Sequence, residues 1–75
     1  MRNQLKIKRL MKGLSQIELA KLSGISPASL SLIERDLVDP KPLAKKAIAT
    51  VLEVNVVEIF PEDKDISKEK DDSIF

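Results

Sequence analysis

Neither histidine nor cysteine occurs among the 75 residues, and their absence removes much of the side-chain chemistry used at catalytic and metal centres. Imidazole bases, thiolate nucleophiles, zinc sites and disulfide frameworks are excluded. Acidic neighbours such as Asp71 and Asp72 lack the alternating spacing of a calcium loop, and Gly13 and Gly24 alone cannot build a glycine-rich phosphate loop. We therefore expect no catalytic residue, no metal, no cofactor and no small-molecule ligand, and read the chain as a non-enzyme. What remains is binding chemistry. Serines and a glutamine stand just ahead of apolar runs, at Ser15-Gln16 and at Ser26, and lysines and arginines are plentiful. Only Phe60 and Phe75 are aromatic, which argues against a stacking platform for single-stranded nucleic acid.

The elements that must position these groups fit in one small domain. With no crosslink, a domain of this size depends on compact helix packing or on a partner. No run of 18 apolar residues occurs, and Met1 to Leu14 lacks the apolar run and cleavage site of a signal peptide, so neither membrane spanning nor export is expected. Charge is unevenly spread. Residues 62–75 carry Lys64, Lys68 and Lys70 against Glu62, Asp63, Asp65, Glu69, Asp71 and Asp72, a net of −3. The formal total is +1, which leaves +4 on residues 1–61. We expect a folded domain over 1–61 with a polyanion partner, and a mobile acidic tail over 62–75.

No sustained period-2 alternation occurs, and the breaks mark helices. Gly13 closes a first basic segment. Ser15-Gln16-Ile17-Glu18 is a capping box, with Leu14 and Leu19 as its hydrophobic staple. The second helix should run from Gln16 to Ser23 and stop at Gly24. Ser26 is a good N-cap, Pro27 suits the first helical position, and Ile25 and Leu30 repeat the staple spacing. Two short helices joined by about three residues have the geometry of a helix-turn-helix. A fourth helix should begin near Pro42, with Ala44, Ala47, Ile48, Val51 and Leu52 on one face. Asn55, with Glu58 three residues on and Val54 and Ile59 as staple, caps a fifth that ends at Pro61. The expected fold is all-α with five helices.

Gly13-Leu14-Ser15-Gln16-Ile17-Glu18-Leu19-Ala20, Ser23-Gly24-Ile25-Ser26 and Leu30-Ser31-Leu32-Ile33-Glu34-Arg35 together resemble the lambda-repressor-like (Xre-type) helix-turn-helix family. The similarity continues through Pro40, Ile48-Ala49, Val51-Leu52, Val54 and Glu58-Ile59-Phe60, covering roughly residues 5–60. It implies a bacterial or phage-encoded, cytoplasmic DNA-binding domain, usually dimeric on palindromic sites, with its third helix in the major groove. It also implies that Gln16 bonds a phosphate, where Ser15 and the helix N-terminus add amides and a positive dipole end. Arg9 and Glu34 match an inter-helix ion pair of the family. Asp36 stands where the family often has glycine, and aspartate tolerates the left-handed conformation less well.

On a helical wheel Leu30 and Ile33 define the buried side of the third helix, with Glu34 near its edge. Ala28, Ser31, Leu32 and Arg35 lie opposite, and Ser26, Pro27 and Ser29 flank the N-terminal end. The base-facing candidates are thus Ser26, Pro27, Ala28, Ser29, Ser31 and Leu32. None bonds a base bidentately as Arg, Lys, Asn or Gln does. Lys12, Arg35 and Lys41 are further phosphate candidates. Leu37 and Val38 either pack inward or mark a contact surface, and Val56, Val57, Ile59 and Phe60 either join a dimer or complete the monomer core. The expected function is a sequence-specific transcriptional regulator of repressor type, a homodimer on a palindromic double-stranded operator. The alternative is a protein-interaction module on the same fold, antitoxin-like or adaptor-like.

Overall fold

The computed structural model describes residues 3–62. They form five helices and, among the described residues, no strand: α1 (Leu5–Met11), α2 (Gln16–Ser23), α3 (Pro27–Glu34), α4 (Pro42–Leu52) and α5 (Val56–Ile59). The expected mobile tail falls, from residue 63 onward, outside the described residues.

Helix starts follow local chemistry. The Ser15 hydroxyl accepts from the Glu18 amide at 3.0 Å while the Ser15 amide donates to the Glu18 carboxylate at 2.8 Å, a complete capping box. The Ser26 hydroxyl accepts from the Ser29 amide at 3.1 Å, with Pro27 at the first helical position. Ahead of α5 the Asn55 amide donates to the Glu58 carboxylate at 2.9 Å.

The first four helices end by one device. Behind α1 the Gly13 amide donates to the Leu10 carbonyl and the Leu14 amide to that of Arg9. The same pair of bonds recurs at Gly24 and Ile25, at Asp36 and Leu37, and at Glu53 and Val54. This is the Schellman closure, which needs a left-handed residue at its centre. Glycine supplies it at Gly13 (φ 74°) and Gly24 (φ 75°), but Asp36 and Glu53 adopt φ 60° without that freedom. The strained aspartate is held from outside its own helix. Asn3 Nδ2 donates to Asp36 Oδ1 at 2.7 Å and to the Ile33 carbonyl at 2.9 Å.

The core joins all five helices: Leu5, Leu19, Ala20, Leu30, Ile33, Ile48, Ala49, Leu52, Ile59 and Phe60. α2 packs on α3 and α4, and α4 on α5. The Gln4 amide donates to the Ile59 carbonyl at 2.8 Å, tying the start of α1 to the end of α5. Each staple closes inward, with Leu19, Leu30 and Ile59 fully buried and Leu14, Ile25 and Val54 packed beside them. Ile59 and Phe60 therefore belong to the monomer core, with Lys45 Nζ 5.3 Å from the Phe60 ring centre. Leu37 and Val38 do not pack inward; both are exposed.

Candidate nucleic-acid interface

The inner side of α3 is fixed by packing and by charge. Leu30 and Ile33 are buried in the core, and Glu34 is buried beside them at 2 % exposure. A carboxylate so far from water needs donors, and three reach it. Arg9 Nε donates to Glu34 Oε2 at 2.6 Å, Arg9 Nη2 to Oε1 at 3.3 Å, and Gln16 Nε2 to Oε1 at 2.9 Å. Arg9 Nη1 donates as well to the Leu14 carbonyl at 2.8 Å, in the turn ahead of α2. One buried carboxylate thus locks α1, the N-terminus of α2 and α3 together. The Gln16 side chain is turned toward it, and the second amide hydrogen on Nε2 is left for another acceptor.

The outer side of α3 is open at its N-terminal end. Pro27, Ala28 and Ser29 are exposed, as is Ser26 before them. The Ser26 hydroxyl donates to the Ser29 hydroxyl at 2.9 Å, so this pair is already joined. Ser31 and Leu32 are half-buried. The wheel puts Leu32 on the outer face, whereas on a short helix between neighbours its side chain is partly covered. Arg35, at the far end, is exposed, and its Nε donates to the Ser31 carbonyl at 3.4 Å.

The other basic candidates differ. Lys12 is ion-paired with Glu53, whose carboxyl is held below the ordinary glutamate range first by that hydrogen bond and then by the ammonium charge. Its charge is partly spent on the protein itself. Lys41 is exposed at the N-cap of α4, with no ion pair among the described residues. Asp39, in the same loop, lies 3.6 Å from Lys45. Sequence reasoning missed Asn3 and the Gln16–Glu34 bond, since both join residues whose proximity only the tertiary fold creates. It also missed the exposed Ile7, Leu10 and Met11 of α1, whose i, i+3, i+4 spacing was visible. No group of acidic residues that could hold a metal occurs among the described residues, and no helix there is long and apolar enough to cross a membrane.

The helix-turn-helix family model matches residues 5–59, spanning all five helices. The chain belongs to the lambda-repressor-like helix-turn-helix family. It is a DNA-binding transcription regulator of the Xre type on an all-α, five-helix fold. The chain is also similar to one in a solved complex of SinR protein with SinI protein, at 32% identity and a TM-score of 0.75. That match covers 99% of this chain and 79% of the other. No curated protein matches the sequence. In family terms, α2 and α3 with the Gly24–Ser26 turn are the helix-turn-helix, and the open face of α3 is the one presented outward.

Proposed function

We propose that the chain is a sequence-specific transcriptional regulator of repressor type that lays α3 in the major groove. The observation that carries this reading is the asymmetry of α3. Pro27, Ala28 and Ser29 are exposed on its first turn, while Leu30, Ile33 and Glu34 are buried behind them. A recognition helix needs that arrangement, a free N-terminal face on a rigidly held back. Gln16 and the amides at the start of α2, beside Ser15, would take one phosphate, and Lys41 and Arg35 others. Lys12, engaged by Glu53, would contribute less.

Two subunits on a palindrome would place their α3 helices about 34 Å apart. Burial of Ile59 and Phe60 leaves Val57 as the exposed apolar residue of α5 available to a second copy. The test is selection from random-sequence duplex DNA by mobility shift at two salt concentrations, with Gln16→Ala and Ala28→Glu beside the wild type. The expected result is a palindromic motif, lost in Ala28→Glu and weakened in Gln16→Ala. Absence of any motif would overturn the reading.

A second reading rests on Leu37 and Val38, which are apolar and exposed beside the acidic Asp36 and Asp39. They favour a protein contact on the same fold, antitoxin-like or adaptor-like, and the similar solved structure is itself a complex of two proteins, SinR and SinI. Contact through that patch would be nearly indifferent to salt. DNA affinity would instead fall with a log–log slope of about −0.9 per phosphate neutralised.

A further inference from the structure

The open face of α3 is unusual in what it offers a base edge. Ahead of Arg35 it holds no guanidinium, ammonium or amide. The Ser26 hydroxyl donates to Ser29 and accepts from the Ser29 amide, so its hydrogen is committed. Hydroxyl donors at Ser29 and Ser31 remain, and a serine donates to or accepts from several base edges without choosing strongly among them. The rest of the face is hydrocarbon: the Pro27 ring, the Ala28 methyl and, one turn on at i+4, the half-buried Leu32. Arg35 is at the opposite end, its Nε directed to the carbonyl of its own helix.

In the major groove a single base feature answers hydrocarbon, the 5-methyl group of thymine. Resting on the reading that α3 enters the groove, we propose that this chain selects its site chiefly through thymine methyl groups, with Ala28, Leu32 and Pro27 as the contacting surface. Ala28 and Leu32 share one strip of the helix, so they address neighbouring base pairs. The serines align the helix without setting the sequence. Specificity then depends on excluding water from small apolar contacts, each worth about a fourfold change in affinity, the effect of burying one methyl-sized group.

The experiment uses the full chain and a random-sequence duplex pool made with thymidine. The enriched duplex is remade with deoxyuridine at one thymine at a time, which deletes the methyl and keeps every hydrogen bond. The expected result is a loss of about fourfold at two or three thymines in each half-site and none elsewhere. In Ala28→Gly the penalty at one of these thymines should vanish, and in Leu32→Ala the penalty at another, because the methyl's partner is gone. A site that enriches yet tolerates uracil everywhere overturns the methyl readout while the regulator reading stands. Penalties that persist unchanged in both variants overturn the assignment to Ala28 and Leu32. A pool in which nothing enriches overturns both readings together. The uracil scan is performed on the wild-type chain and so does not depend on either variant folding.

Discussion

Glu34 accepts three hydrogen bonds from two side chains at 2 % exposure, and Arg9 is nearly as enclosed at 7 %. Removing one member leaves the other charged and without its partner in a place water hardly reaches. Arg9→Met or Glu34→Leu alone should therefore lower stability by about 3–5 kcal/mol in urea unfolding. The double replacement should recover most of that, because an apolar pair of similar volume suits the same space. If each single variant loses less than about 1 kcal/mol, the pair is effectively solvated. Gln16 behaves differently. Its bond to Glu34 is only part-buried, so Gln16→Ala should cost about 1 kcal/mol of stability and show itself mainly in DNA affinity. The ion pair was legible from the family pattern, as was a glutamine at the head of α2. That the same carboxylate holds both was not, because the amide direction of Gln16 depends on a helix eighteen residues away.

The helices begin and end through different kinds of information. Starts are written within four residues: Ser15 with Glu18, Ser26 with Pro27, Asn55 with Glu58, each with its staple pair, and the observed α2 has the bounds that the sequence predicts. The ends at Gly13 and Gly24 are equally local. Those at Asp36 and Glu53 are not: the family pattern marks position 36 as one often held by glycine, but nothing local marks Glu53, which takes a left-handed backbone where the closing bonds impose it. Glu53→Gly should accordingly raise the urea unfolding midpoint, since relief of φ 60° outweighs loss of an exposed pair with Lys12. The converse holds at Gly24. An added Cβ there meets nothing within 4 Å, so Gly24→Ala should cost only the backbone strain of about 1 kcal/mol. A loss well above that in thermal unfolding would mean that the turn rearranges. Helix starts and ends are also coupled to pH. Glu18 is held below the ordinary carboxylate range by the Ser15 amide first and its hydroxyl second, and Glu53 by Lys12. A lowered folded-state value means that the stability these groups add is complete above the ordinary glutamate range and is lost as pH falls from that range through the lowered folded-state values. Replacing both with glutamine should flatten the acid limb of the stability profile while leaving its shape above neutrality unchanged.

At the scale of the whole molecule, DNA affinity should fall steeply between about 50 and 200 mM salt, with a log–log slope set by the number of phosphates neutralised. Lys41→Ala should make that slope shallower by about one unit per bound copy without changing the selected motif, whereas Ala28→Glu should abolish the motif. Sedimentation at micromolar concentration and urea unfolding should together separate the roles of α5 and the residue that follows it: Val57→Glu should alter association only, and Phe60→Ala, in the core, should lower stability by about 3–5 kcal/mol. The polar clip at Asn3 has a consequence in time as well as in space. It reaches the Ile33 carbonyl and Asp36 across thirty residues and more, and Arg9 meets Glu34 across twenty-five. During synthesis at about 5–20 residues per second, α1 is made with its arginine unanswered, and the acid that answers it follows about one to five seconds later. The buried side of α3 is secured only when the earlier-made α1 closes over it, so a ribosome paused just before the glutamate at position 34 holds a chain whose first helix still awaits the carboxylate that fixes it.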